Sequence, residues 1–227
     1  MKTKRSTQRR TPGPPDERIN GRDLVLESES PKIRELIGTT IVDSFVEPSG
    51  TMLPTLFVGD KFFVTKGPLE GAVKRGDVVA FQSPQDNQRY VKRVVALGGD
   101  RIDVHAGTLK LDGKPVPSRP IVALPHSDDA AALEMLGRPD AEIHEEVLDG
   151  RTYRTLHLRN DPWSIDASAT VPEGSVFVLG DNRDLSLDSR QFGPLPLSSI
   201  VGHATVVYLS TAGPANVRWN RVGRVIQ

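Results

Sequence analysis

The 227-residue chain contains no cysteine. A disulfide framework, a thiolate metal site and a cysteine nucleophile are therefore excluded. It also lacks net charge, with 29 basic and 29 acidic side chains, so no global field recruits nucleic acid or an anionic membrane. No stretch approaches the roughly 20 mostly apolar residues that a bilayer span requires. The longest uncharged run, 193 to 217, is interrupted by Pro194, Pro196, Gly202, His203 and Pro214 and reads as turn plus strand. Met1 to Arg10 starts positive, but no apolar segment follows, so it does not read as a secretory signal. His105, His126, His144, His157 and His203 show no ligand spacing. Neither a metal nor a cofactor is implied.

What the chain does have is 20 glycines and 18 prolines, a content that favours many short strands and turns over long helices. Residues 1–30 are polar and charged and include Thr11 to Pro15, which predicts a disordered tail. Ser30 offers an N-cap and Pro31 fits a first helical position. Ile33, Leu36, Ile37, Thr40, Ile41 and Ser44 follow at helical spacing, which predicts a short amphipathic helix, or a helix-to-strand entry, to about Phe45. From Val58 the texture is β, with short apolar runs at 61–64, 77–81, 90–97 and 101–104. Thr108 to Leu111 and the Asp112-Gly113 pair predict a hairpin with a tight turn. Residues 114–150 read as irregular, with a helical patch near Ala130 to Leu136. Arg151 to Arg159, Ser175 to Leu179 and Ile200 to Leu209 read as strands.

Three segments carry chemistry. The first is Pro48-Ser49-Gly50-Thr51-Met52-Leu53-Pro54-Thr55-Leu56, with a loop's composition around a hydroxyl. The second is Tyr90-Val91-Lys92-Arg93-Val94. The third runs from Gly180-Asp181-Asn182-Arg183 through Ser186 and Asp188 to Arg190. A hydroxyl is a poor nucleophile at neutral pH and needs a base to remove its proton. Lysine can serve only if its pKa falls well below about 10.4, which burial among apolar groups achieves. Side chains alternate along a strand, so Lys92 shares a face with Tyr90 and Val94 while Arg93 points the other way. Lys92 can then sit in an apolar layer while Arg93 stays solvated. Read singly, each segment has a plainer account: an edge lysine, a turn serine bonding its own backbone, and a surface Asp–Arg pair contributing about 0–1 kcal/mol.

Taken together and in this order, the three segments resemble those of type I signal peptidases, which are serine/lysine endopeptidases. The resemblance runs from about Phe45 to the C-terminus, including Arg218 to Gly223, and is poorest across the middle of the chain. It implies a mostly β fold, an antiparallel β-sheet catalytic core with an inserted smaller lobe, and a short N-terminal helix. The core would comprise 31–100 and 169–227, and the lobe 101–168. It also implies Thr51 as nucleophile, Lys92 as general base, and the Ser49 hydroxyl with the Thr51 N–H as oxyanion donors. Ser186 would orient Lys92, Asp188 and Arg190 would brace the site, and Phe45, Met52, Leu56, Tyr90 and Val91 would contact substrate. The partner would be an extended peptide of a precursor protein, cut after small residues, with no nucleic acid involved. Leu185 and Leu187 are expected to pack.

Three departures from the family pattern stand out. Threonine replaces the nucleophilic serine. Known threonine nucleophiles use their own N-terminal amine as base, whereas Thr51 is internal and would depend on Lys92. Three readings follow: a threonine/lysine peptidase, a catalytically inactive peptide-binding relative, and an enzyme using another hydroxyl, with Ser49 the close candidate. The family's members are membrane-associated and usually carry an upstream anchor, which this sequence does not show. Three expectations answer to this: the true start lies upstream, or the domain makes a peripheral membrane contact through its own apolar surface, or the substrate differs. Glu47 stands where the family's substrate groove is usually apolar. A self-cleaving repressor-type protease shares the dyad logic, but residues 1–30 hold no DNA-reading helix pair.

Overall fold

The architecture comes from a computed structural model, which describes residues 41–65, 73–105, 107–121, 127–159, 165–213 and 216–227. The expected polar tail and the helical stretch before residue 41 lie outside the described residues. Where the helical pattern was extended to Phe45, the chain is instead strand β1 (Ile41–Val46). Alternation decides this: Phe45 is buried while Ser44 and Val46 on either side are exposed.

The strands that follow are β2 (Asp60–Thr65), β3 (Val78–Gln82), β4 (Arg89–Leu97), β5 (Arg101–His105), β6 (Thr108–Leu111), β7 (Lys114–Pro115) and β8 (Ser118–Pro120). After helix α1 (Ser127–Leu136) come β9 (Ala141–Leu148), β10 (Arg151–Leu158), β11 (Ala167–Thr170) and β12 (Ser175–Leu179). A one-turn helix α2 (Ser189–Phe192), β13 (Leu195–Pro196) and β14 (Ile200–Ser210) complete the order. The fold is thus mostly β and antiparallel. A seven-stranded sheet runs β1-β2-β14-β3-β4-β12-β13, a four-stranded sheet β11-β5-β6-β7, and a three-stranded sheet β10-β9-β8. Every strand of the large sheet comes from before residue 98 or after residue 174, and the two small sheets use the chain between.

The segment 114–150 is not irregular, because it supplies β7, β8 and the whole of β9. The sequence Ala-Glu-Ile-His-Glu-Glu-Val-Leu of β9 buries first one face and then the other: Ala141 and Ile143 join one apolar cluster, while Glu146 and Leu148 are buried on the opposite face, Leu148 in a second cluster. Buried Glu146 accepts hydrogen bonds from the Tyr153 hydroxyl at 2.7 Å and from the Arg183 guanidinium. β9 and β10 are joined by Asp149-Gly150, whose φ values of 49° and 78° match the 50° and 76° of the expected Asp112-Gly113 turn. Two consecutive positive φ values suit the twist of a tight hairpin, and Asp followed by Gly tolerates them best.

β4 is the central fact of the large sheet. Val91 to Ala96 are buried without a break, because apolar layers cover both faces. Beyond β14 the chain turns back along it, with Val217 opposite Thr211 and Val225 opposite Val206, and Arg221 in this returning segment is fully buried. Its guanidinium bonds Asp60 at 2.6 Å, Asp128 at 2.5 Å and the Thr55 carbonyl at 2.9 Å, and lies 3.8 Å from the centre of the Phe57 ring. The C-terminal segment therefore clamps the turn that follows Thr51. Arg221→Ala leaves Asp60 buried without its cation and Asp128 with Arg224 alone, and we expect a loss of about 3–5 kcal/mol, read as a lowered urea midpoint.

Candidate active site

Thr51 sits in a turn between β1 and β2. Leu53 N–H donates to the Gly50 carbonyl at 3.2 Å and Leu56 N–H to the Met52 carbonyl at 2.9 Å, and the Leu53–Pro54 peptide is cis. Met52, Leu53, Leu56 and Phe57 are buried, so the turn is anchored by its apolar side chains while Thr51 is half-buried. Asn182 fastens it from the other side. Its side-chain amide donates to the Gly50 carbonyl at 2.9 Å, and its backbone N–H donates to the Thr51 carbonyl at 3.1 Å.

Lys92 approaches from β4, where it pairs with Val79 of β3 and is 1% exposed. Its Nζ donates to Thr51 Oγ1 at 2.9 Å and to the Val91 carbonyl at 2.9 Å, and lies 5.6 Å from the centre of the Tyr90 ring. Burial holds the Lys92 ammonium below the usual lysine range, and Glu47, Asp188 and Asp181 pull it partly back. Ser49 Oγ is 3.2 Å from Thr51 Oγ1, and its hydroxyl donates to Glu47 Oε1 at 2.7 Å. Among the described residues no acceptor holds the Thr51 N–H. That N–H and a hydroxyl two residues earlier are the kind of donors an oxyanion requires.

Arg93 does not stay solvated. It is 1% exposed and forms a bidentate pair with Asp181, Nε to Oδ1 at 2.7 Å and Nη2 to Oδ2 at 2.7 Å. Nη1 donates to the Gly76 carbonyl at 2.6 Å, and the guanidinium lies 4.1 Å from the centre of the Tyr153 ring. The alternation of the strand was read correctly, but both faces of β4 are covered, so both cations are buried. The two are treated differently: Arg93 keeps its charge because Asp181 neutralises it, while Lys92 meets no carboxylate directly. Thr55 Oγ1 donates to Asp181 at 2.5 Å, which links this pair to the Thr51 turn.

The third segment is built around Asp188. This residue caps α2, accepts from Gly180 N–H at 3.0 Å, and pairs with Arg190 through Nε and Nη2, both at 2.8 Å. The Gln191 side chain returns a bond to the Asp188 N–H at 2.8 Å, completing a reciprocal cap. Ser186 is buried, but its Oγ makes no hydrogen bond to Lys92 or to any other described group. Leu185 and Leu187 do not pack: they are 43% and 47% exposed. Of the expected substrate contacts, Phe45, Met52, Leu56 and Val91 meet in one apolar cluster and are buried, Met52 and Leu56 completely. Tyr90 is half-buried. Residues whose part at the site was not foreseen are Glu47 as the partner of Ser49, Asn182 as the staple of the turn, and Asp181 as the counterion of Arg93. Their signal lay in the Gly180-Asp181-Asn182 run and in an isolated acid before Pro48.

The family described as signal peptidase, peptidase S26, matches residues 33–209. Signal peptidase I of Pseudomonas fluorescens is 34% identical over 201 residues, covering 77% of this chain and 67% of that protein. Signal peptidase I of Buchnera aphidicola is 28% identical over 244 residues, covering 84% of this chain and 77% of that protein. A crystal structure of a signal peptidase I from Enterococcus faecalis V583 is 28% identical, covers 58% of this chain and 95% of its own, and has a TM-score of 0.37.

Gly180 is the tightest point of this assembly. A Cβ there would lie 2.2 Å from Ser186 Oγ and 2.6 Å from the Thr51 carbonyl oxygen. We expect Gly180→Ala to lower stability by about 1–3 kcal/mol, the usual range for overpacking, measured by urea unfolding, with the Asn182 side-chain amide resonances shifting in the same variant.

Proposed function

Because this chain belongs to the signal peptidase family, peptidase S26, we propose that it is an endopeptidase that cleaves precursor or leader peptides after small residues through a Thr51–Lys92 dyad. The observation that carries this reading is the 2.9 Å separation of Lys92 Nζ and Thr51 Oγ1 inside an apolar layer. An amine kept below its usual pKa can take the hydroxyl proton as Oγ1 attacks the scissile carbonyl. The carbonyl oxygen then becomes an oxyanion held by the Thr51 N–H and the Ser49 hydroxyl. The resulting Lys92 ammonium returns its proton to the departing amine, leaving an ester on Thr51. Water, deprotonated by the same amine, hydrolyses that ester. Asp188 and Arg190 support the wall behind the dyad, and Ser186 lies against it.

Substrate enters, on this reading, as an added strand. Among the described residues β1 pairs only with β2, and β12 pairs with β4 only from Arg93 onward, so two strand segments beside Thr51 keep unpaired edges. Arg89 of β4 joins Asp43 of β1 at 2.6 Å and lies 5.1 Å from the centre of the Phe45 ring, which holds these segments near one another. Phe45, Met52, Leu56 and Val91 form the floor below them, and Tyr90 flanks the position of the reacting bond. No helix among the described residues is long and apolar enough to cross a membrane. Exposed Leu185 and Leu187 supply apolar surface for a peripheral membrane contact next to the third segment.

A second reading, a peptide-binding relative without turnover, is favoured by one observation: the extra methyl of threonine restricts χ1 where the carbonyl must approach. The two readings separate on incubation with a precursor bearing a small-x-small site. Lys92→Ala should lower kcat/KM by about 10²–10⁴-fold, and Thr51→Ser should retain cleavage. Peptide binding with no product, unchanged by Thr51→Ser, would establish the second reading. For the active enzyme, kcat/KM should rise with pH through a value below the ordinary lysine range, because burial favours the neutral amine.

A further inference from the structure

Glu47 is a buried carboxyl immediately beside the dyad, and nothing in the mechanism above uses it. The chain Pro48-Ser49 turns back so that Glu47 Oε1 accepts both the Ser49 N–H at 3.0 Å and the Ser49 hydroxyl at 2.7 Å. Ser49 Oγ in turn lies 3.2 Å from Thr51 Oγ1, and Thr51 Oγ1 lies 2.9 Å from Lys92 Nζ. One continuous line of hydrogen bonds therefore runs from a carboxyl, through two hydroxyls, to an amine. As drawn, it also has a drawback: a Ser49 hydroxyl committed to a carboxylate cannot donate to an oxyanion.

We propose that Glu47 is a positioning residue that stores the surplus proton of Lys92, received through the Thr51 and Ser49 hydroxyls. The inference rests on the dyad reading given above. In the charged arrangement the Lys92 ammonium donates to Thr51, Thr51 to Ser49, and Ser49 to the Glu47 carboxylate. If each proton moves one place along this line, an N–H bond breaks at Lys92 and an O–H bond forms at Glu47. Each hydroxyl gives up one proton and gains one, so no net charge is created. The outcome prepares three groups at once. The amine is neutral, the Thr51 O–H points at Nζ, and the Ser49 O–H turns from Glu47 toward the reacting side while the Glu47 acid now donates to Ser49 Oγ.

The surroundings shift both groups toward the neutral pair. Burial disfavours the charged form of both groups and is the largest influence on each: it pushes the Glu47 carboxyl up and the Lys92 ammonium down. The attraction between the two ions works against this but is smaller. The other ionisable groups acting on them are Asp60, which pushes Glu47 further up, Asp181 and Asp188, which favour the Lys92 cation, and Arg190, which opposes it. The three aspartates are held by Arg221, Arg93 and Arg190 respectively, so their charges are largely spent.

The pair is active when it holds one proton, so kcat/KM of the wild type should fall on both sides of an optimum. Glu47→Gln carries a neutral group that cannot release a proton. We expect it to keep the acid limb and lose the alkaline one, whereas an alkaline limb identical to the wild type's overturns the proposal. A second measurement needs neither turnover nor that variant: a 13C NMR titration of the Glu47 carboxyl and the Lys92 Cε in the full chain, with Lys92→Met alongside. The two carbons should report the same two steps in the wild type, and Glu47 should titrate in a single displaced step in Lys92→Met. A Glu47 that ionises near 4.3, as an unperturbed glutamate does, and ignores Lys92→Met refutes the proton store. Absence of cleavage with the coupled titration intact counts instead against the peptidase reading alone.

Discussion

An amine without a counterion, removed from water, is the constraint around which this molecule is arranged. A buried lysine is tolerated only if it gives up its proton or finds a partner for its charge. The large sheet enforces the burial by covering β4 on both faces, and the Thr51 turn supplies the only hydroxyl that Nζ bonds among the described residues. Arg93, one residue along, shows the alternative solution: it keeps its charge, but only within a bidentate pair to Asp181 that also engages Thr55 and the Gly76 carbonyl. Adjacent cations on opposite faces thus divide the work. One is neutralised by an acid and becomes structure; the other lacks a direct acid and donates instead to Thr51 and the Val91 carbonyl.

Close approach explains why the third segment has its spacing. Gly180 brings β12's end against the Thr51 carbonyl and Ser186, and no side chain would fit between them. The Asp188 carboxylate then reaches back to the Gly180 N–H while capping α2 and binding Arg190. Asp181 and Asn182, immediately after the glycine, hold Arg93 and the Thr51 turn. A run of eleven residues therefore holds Arg93, Thr55 and the Thr51 turn together, which is why it reads as a block in the sequence. Arg221 acts in the same sense from the C-terminus, through Asp60 and the Thr55 carbonyl.

Legibility in the sequence followed the clarity of local signals. Strands with uninterrupted apolar runs, such as β2, β3, β4, β12 and β14, and the Asp112-Gly113 hairpin were readable, because period-two alternation and turn chemistry are local. β9 was not, since its inward Glu146 looks like a surface residue until Arg183 and Tyr153 are brought to it from other strands. The Asp149-Gly150 turn carried the same signal as its counterpart at 112–113 and would have located that hairpin. The stretch 41–45 fitted helical and extended patterns alike, and the pairing with β2 decided between them. Leu185 and Leu187, expected to pack for their composition alone, remain exposed because the loop holding Ser186 inward turns its neighbours out.

Chemical types and their order belong to the sequence alone: a hydroxyl in a Pro- and Gly-bounded turn, a lysine on a strand, an acid and an arginine two residues apart. These placed the chain among the signal peptidases, while short apolar runs between turn residues marked it as mostly β. Which cation stays charged, which hydroxyl meets which acid, and whether Glu47 faces solvent or the dyad were decided by tertiary structure. The physical reason is that desolvation and hydrogen bonding depend on what covers a group in space, and the covering residues here come from positions as far apart as 47, 92, 181 and 221.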